Sequence, residues 1–379
     1  MNLAMRDMRH NALRFVLTGL GLGLLLGVVV SMAGIYEGAL DDALSLPRSA
    51  HADLWVVQPR TKGPFAEPSR MPRDTRELIQ RMPGVAAAGA VTFQTVQTAA
   101  RGKPLRLFIQ GYEPGRLGGP TQFVSGHDIT ESHYQIVIDA SAGLQLGDKA
   151  PIGPYHDLYT VVGLTRGMVD SAGNPAAWIT LLDAQAIQFN VAPPLQRREK
   201  AAGRSPLVIT DVNAVLIQLQ PGVAKDVVAQ DIDRWKHLSA VSERVQEGYL
   251  TEFVINKMQR QLGLFMIILI VISTVIIALI IYTLTMEKLR SIATLKLIGA
   301  PDRTIIGLIV QQALILGVGG FAFGVAWISA AKGYFPRRVL LEAGDVTILF
   351  FIVVVVCLLA SALSVRVAVK IDPASALGG

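Results

Sequence analysis

Residues 262–284 read LGLFMIILIVISTVIIALIIYTL, an apolar run with no Asp, Glu, Lys, Arg or His. About 20 mostly apolar helical residues cross a bilayer core, so this run is long enough to span one. Residues 15–36, 304–331 and 346–365 form runs of the same kind, equally free of charge. Residues 37–261 differ: they are polar and numerous enough to build a domain with its own core. The order is one span, a large insert, then three spans. The fold class predicted is therefore a membrane α-helical protein of four transmembrane helices, with a mixed α+β extracytoplasmic domain inserted between helices 1 and 2.

Composition agrees. Hydrophobic residues make up 51% of the 379-residue chain and the mean hydropathy is +0.43, values that soluble domains seldom reach. A formal charge of +6 would alone admit nucleic acid, but the basic residues flank apolar runs and form no aromatic-laced stripe. No nucleic-acid partner is expected, and the basic excess reports topology. Arg6, Arg9 and Arg14 precede the first run, whereas Glu37, Asp41 and Asp42 follow it, which places the N-terminus in the cytoplasm. Four crossings return the C-terminus to that side, in keeping with Lys288, Arg290, Lys296, Arg303, Arg366 and Lys370. Lys332, Arg337 and Arg338 run against the rule. The first run also has the basic approach of a signal peptide, but it is long for one and no A-x-A site follows, so a retained helix is expected.

Uncharged spans bear on mechanism. An ionisable residue within a bilayer is costly and marks proton or ion pathways, so an ion-driven transporter is disfavoured. Gln311 and Gln312, the polar pair in the third span, read as interhelical or backbone hydrogen-bonding groups. Cys357 is the one cysteine, so the insert folds without disulfides. His127 and His133 lack a zinc spacing, and Asp139, Asp148, Asp157 and Asp170 read as turn and surface residues. No catalytic residue and no metal ligand is expected.

Within the insert, residues 52–58, 91–98, 105–112, 136–139, 159–164, 178–182 and 214–219 read as strands, with 91–98 and 105–112 paired around Gly102. Residues 73–82 read as a short helix stopped by Pro83 and Gly84. Residues 223–237 read as another, with Val227, Val228, Ile232 and Trp235 on one face. Residues 193–206 read as an exposed loop. In the first span Gly19, Gly23 and Gly27 recur every four residues, a face on which another helix can approach closely. That face packs within the subunit or forms a dimer seam. Gly19, Gly21 and Gly23 lack the preceding strand of a nucleotide loop.

The segment Met286-Glu-Lys-Leu-Arg-Ser-Ile-Ala-Thr-Leu-Lys-Leu-Ile-Gly-Ala-Pro301 lies between the second and third spans. Leu289, Ile292, Leu295 and Ile298 give a short helix an apolar stripe, and Gly299 with Pro301 stops it. Such a helix suits a groove in a soluble partner or a membrane surface. Here the chain resembles permeases of the MacB/FtsX class of ABC transporters, and residues 293–300 resemble most the DevC-like branch. The topology, the tail around 369–374, and Asp139, Gly143, Gly147 and Asp148 of the insert are also similar to the family pattern. Many members carry Glu where this chain has Ser291.

The resemblance implies a permease subunit that transmits ATPase movement to its outer domain to expel amphiphilic cargo such as a lipid, glycolipid, peptide or drug. It implies two copies, as a homo- or heterodimer, and an ABC ATPase dimer carrying ATP and Mg. That dimer would dock on Glu287, Lys288, Leu289, Arg290, Ile292, Leu295, Lys296, Ile298 and Gly299. The DevC-like branch adds a periplasmic adaptor and an outer-membrane channel. In the family's terms, residues 1–14 are a cytoplasmic segment and 37–261 a periplasmic domain with helical stalks at 37–46 and 243–261. Residues 285–303 form the coupling loop, 332–345 a short periplasmic loop and 366–379 the cytoplasmic tail, all in a bacterial inner membrane. A different function is implied by the FtsX side of the class: a non-transporting transducer that regulates a periplasmic enzyme. The chain has no G-x-x-x-x-G-K-[ST] loop, so any ATP hydrolysis needs another polypeptide.

Overall fold

A computed structural model describes residues 12–65, 67–100, 102–189, 202–203, 210–235, 237–299, 301–335 and 337–370. The segment 1–11, most of the predicted loop 193–206 and the tail from 371 lie outside the described residues. In chain order the elements are α1 (Ala12–Ser49), β1 (Leu54–Val57), α2 (Thr75–Gln80), β2 (Val85–Ala100), β3 (Lys103–Tyr112), β4 (Phe123–Gly126) and β5 (Gln135–Asp139). There follow β6 (Lys149–Ile152), β7 (Asp157–Thr165), β8 (Ala176–Thr180), α3 (Leu181–Phe189), β9 (Ala214–Leu219), α4 (Lys225–Asp233), β10 (Ser239–Ser242) and α5 (Glu243–Tyr249). A π-helical turn, Leu250–Ile255, leads into α6 (Asn256–Glu287), then α7 (Leu289–Leu297), α8 (Asp302–Ala331) and α9 (Ala343–Lys370). The chain divides into two units, Met1–Gly38 with Met258–Gly379, and Ala39–Lys257.

In the first unit α1, α6, α8 and α9 supply four helices long and apolar enough to cross a membrane. Several of their hydroxyl groups are satisfied inside their own helices: Ser273 donates to Leu269 O and Thr285 to Ile281 O, each at 2.7 Å. In lipid no water offers an alternative partner. Leu22, Leu26, Val29 and Val30 of α1 share one buried cluster with Ile277, Ile281, Ile309, Leu316 and Val353. Cys357 of α9 is buried where α8 has Gly317, and a side chain at that glycine would occupy the space of the thiol.

The second unit is built on one ten-stranded sheet in the order β10-β1-β9-β2-β3-β8-β5-β7-β4, with β6 on β7. Its long strand β2 changes partners midway, pairing with β9 from Val85 to Val91 and with β3 from Thr92 onward. Asn213 holds that changeover: its N–H donates to Val91 O at 2.9 Å, its Oδ1 accepts from Phe93 N at 2.7 Å and its Nδ2 donates to Ser69 O at 2.6 Å. Alternate residues of β1 feed two cores, Trp55 and Val57 on one face and Leu54 and Val56 on the other. Covered on both faces, such strands read as continuous apolar runs instead of alternating ones.

The predicted hairpin around Gly102 is present, while other elements are revised. The strand expected at 178–182 ends at Thr180, whose Oγ1 accepts from Asp183 N at 3.4 Å. That bond starts α3 at Leu181. In α4, Val228 and Ile232 are buried but Val227 is exposed, and Trp235 falls beyond the helix end. Asp139 is no surface residue. It is 1% exposed and accepts from Ser141 N, Ser141 Oγ, Thr165 Oγ1 and Met168 N at 2.9, 2.6, 3.3 and 2.9 Å. Asp170, by contrast, closes a turn by accepting from Ala172 N and Asn174 N at 2.9 and 2.8 Å. His133 Nδ1 lies 2.6 Å from the buried carboxylate of Asp183.

Replacing Asp139 by Ala strands two backbone N–H groups, of Ser141 and Met168, and is expected to destabilise the inserted domain by about 3 kcal/mol. Thermal unfolding followed by circular dichroism measures it, with Asp170→Ala as the milder comparison.

Candidate functional site

The turn between α6 and α8 is the candidate site. Lys288 leaves helical geometry (φ −99°, ψ 9°) and the chain restarts at once as α7. Little hydrogen bonding is lost, since Lys288 N donates to Thr285 O at 3.1 Å and Ile292 N to Lys288 O at 2.9 Å. At the far end Ile298 N donates to Thr294 O at 3.1 Å and Gly299 N to Lys296 O at 3.0 Å. Gly299 has φ of +91°, a left-handed stop that a side chain disfavours. Extended Pro301 (φ −69°, ψ 148°) then precedes α8.

Two halves of α7 have different roles. Ile292 and Ala293 are buried, and Ile292 joins the cluster of the spans with Ile305, Ile309 and Ala368. The Lys296 ammonium donates to Val369 O at 2.7 Å, near the end of α9, and lies 3.4 Å from the Asp302 carboxylate in the first turn of α8. A cation at a helix C-terminus and an anion at an N-terminus each suit the local helix dipole. In contrast Leu297 and Ile298 are 60% and 80% exposed.

This division corrects the expected stripe. At about 100° per residue, positions three apart fall roughly 60° short of a full turn, so a stripe at that spacing winds around the helix. Ile292 turns inward and Ile298 outward, and the two cannot share one docking face. Lys296 also points into the protein and is not a surface contact. Glu287 is exposed and Lys288 half-buried, with burial pushing the Lys288 ammonium below its ordinary pKa. Leu289, Arg290 and Leu295 belong to the α7 backbone, and their side chains lie outside the described residues. Asp302 and the Val369 carbonyl were not singled out by sequence reasoning. The acidic first position of α8 was the only available signal for the former, and a carbonyl 73 positions away gave none.

The glycine face of α1 is filled from within the chain. A Cβ at Gly23 would stand 2.7 Å from Gly320 O, one at Gly27 3.4 Å from Gly324 O, and one at Gly324 2.6 Å from Gly23 O. Gly19 is looser, with Leu316 Cδ1 at 3.8 Å. Gly23 and Gly27 therefore pack α1 on α8 and are not left for a dimer seam. Two further glycines escaped the sequence reading. Gly34 would place a Cβ 2.6 Å from Val339 Cγ1, its carbonyl accepts from Leu340 N at 2.9 Å, and at Gly38 the Arg338 carbonyl fills the side-chain position. Both let the α8–α9 loop cross α1. Among the described residues no group of three or more metal-ligating side chains occurs.

Comparison with known proteins gives a consistent answer. Residues 263–373 match the FtsX-like permease C-terminal model and residues 15–235 the MacB-like periplasmic core domain. An uncharacterized ABC transporter permease of Mycobacterium tuberculosis is 25% identical, with 99% of each chain covered. A Staphylococcus epidermidis relative that bears the name of a hemin transport system permease, HrtB, is 22% identical over 100% of this chain and 99% of its own. The periplasmic region of MacB from Actinobacillus actinomycetemcomitans aligns with 54% of this chain and 95% of its own, at 10% identity and a TM-score of 0.36. Four apolar helices, an α+β insert after the first of them, and two adjoining family matches lead to one conclusion: the chain belongs to the MacB/FtsX-type family of ABC transporter permeases.

Proposed function

We propose that this chain is the membrane subunit of an ATP-driven exporter, in which closure of a partner ATPase dimer moves α7 and the spans, and thereby the inserted domain, to expel amphiphilic cargo. The observation that supports it is the division of α7. Its inward side is bonded to α8 and α9 through Lys296 and Ile292, so a push on the helix is delivered to the spans. Its end carries Leu297 and Ile298 exposed side by side, an apolar knob suited to a pocket on a soluble partner. In this reading ATP and Mg reside on the ATPase, both termini are cytoplasmic, and the inserted domain is periplasmic. A second permease copy, a periplasmic adaptor and an outer-membrane channel complete a DevC-like assembly. The relative named for hemin transport fits cargo of amphiphilic class.

Co-purification of the permease with its ATPase tests the docking knob. Ile298→Asp and Leu297→Asp are expected to lower assembly and coupled ATP hydrolysis at least tenfold, a hot-spot effect of about 1.4 kcal/mol or more, with unfolding temperature unchanged. Retained assembly and coupled hydrolysis in both variants would refute the assignment. Ile292→Asp is expected to behave differently, destabilising the fold itself by roughly 3 kcal/mol because it buries a carboxylate. In reconstituted vesicles, ATP-dependent activation of a bound hydrolase without cargo movement would replace export by transduction.

A further inference from the structure

In the inserted domain a cavity of about 320 Å³ opens at one end of the sheet. Strands β3 and β8 run parallel and both finish beside it, at Tyr112 and Thr180, while β5, antiparallel to β8, begins there at Gln135. In open α/β sheets the space beyond the carboxyl ends of parallel strands is where ligands bind, and β3 and β8 reproduce that arrangement locally.

One side of the cavity is cationic. Arg73 lines it and donates through Nη2 to Glu113 Oε1 at 2.7 Å. Arg76 Nε and Arg116 Nε stand 3.4 and 3.1 Å from Glu113 Oε2, and Arg76 Nη2 donates to Glu77 at 3.2 Å. One carboxylate does not satisfy three guanidinium groups: Glu113 Oε2 and Arg76 Nε are buried without a hydrogen bond, and Arg73 gives Glu113 only one of its nitrogens. Glu131, from the segment before β5, lines the same cavity and makes no ion pair among the described residues. That segment is fixed from two sides. Buried Gln135 accepts from Thr130 N and Glu131 N at 2.9 and 3.1 Å, and buried Asp183 accepts from Tyr134 N at 3.1 Å and pairs with His133. Arg73 and Glu131 thus line one space without meeting, and Pro114, Leu181 and Leu182 add an apolar part. A preformed cavity that offers a cation, an anion and an apolar surface is complementary to a molecule carrying the opposite charges and an apolar group.

We infer that this cavity binds a small zwitterion with an apolar side chain, the chemistry of an apolar amino acid or dipeptide. Its carboxylate pairs with Arg73, its ammonium with Glu131, and its side chain packs on Leu181 and Leu182. The planar guanidinium of Arg73 suits a carboxylate, with nitrogens that Glu113 leaves unused. The volume stands at the lower end of small-molecule sites, which run from about 300 to 1,000 Å³, so it admits a dipeptide and excludes a long chain. The site goes beyond the exporter reading, because a ligand held here serves a chain that exports and one that transduces alike.

The test is calorimetric titration of the full-length permease in nanodiscs with leucyl-leucine, its N-acetyl derivative and its C-terminal amide. Wild type is expected to bind leucyl-leucine saturably and each derivative at least about tenfold more weakly, since each lacks one charge-assisted pair. Arg73→Gln should erase the penalty of the amide and keep that of the acetyl group. Glu131→Gln should do the reverse, a crossed pattern that a general loosening of the domain would not produce. Glu131 is exposed and has no ion-pair partner among the described residues, so its arm of the test stands even where Arg73→Gln, by releasing Glu113, unfolds the domain. Equal affinities for the three probes, penalties that survive the substitutions, or no saturable binding would each overturn the site. None of these outcomes bears on how hydrolysis responds to Ile298→Asp, so the site and the exporter reading fail separately.

Discussion

The approach of α1 to α8 at Gly23, Gly27, Gly320 and Gly324 is the constraint on which the membrane unit depends. Lipid is as apolar as any side chain, so helices in it gain little from burying leucine against leucine, and they associate through close packing instead. Here glycine pairs bring backbone to backbone, with Gly324 so near Gly23 O that even a methyl group would collide. The same device recurs where α9 enters against Gly317 and where the α8–α9 loop crosses Gly34 and Gly38. Close approaches at glycine thus fix α1, α8, α9 and their loop.

The opposite end of the same unit is held by charge. Lys296 reaches a carbonyl near the C-terminus of α9 and a carboxylate at the N-terminus of α8, so three helices meet on one ammonium group. Its side chain is only 14% exposed, which strengthens the bond to the carbonyl and makes an unpaired state costly. A short helix fastened in this way moves with its neighbours. That property suits a lever better than a free surface helix would.

Much of this architecture was legible in the residue order. Four uncharged apolar runs and one polar insert fix the fold class, because bilayer thickness admits few alternatives. The strands at 105–112 and 214–219 announced themselves through β-branched and apolar runs. Less visible were features that depend on partners distant in sequence. Asp139 looked like a turn residue, and only the fold brings Thr165 and Met168 to its second oxygen. Thr180 and Leu181 read as continued strand because a capping hydroxyl within an apolar stretch gives a weak signal. In α7 the error was one of period: a three-residue repeat is close enough to 3.6 to suggest one face, yet over six residues it separates Ile292 from Ile298. Gly34 and Gly38 were passed over because the loop that crosses them shows no pattern of its own.

The sheet order has a consequence for how the chain is made. Strand β1 sits between β9 and β10, pairing Trp55 with both Leu216 and Val241, so the first strand of the insert waits for its last two. At ordinary synthesis rates of about 5–20 residues per second, the ribosome needs roughly ten to thirty seconds to pass from one to the others. Throughout that interval the edges and apolar faces of β1 have no permanent cover, and pairing so distant is slow to form even when all strands are present. Biogenesis of this permease therefore includes an obligatory open stage, during which a chaperone has longer access to the insert than to any of the spans.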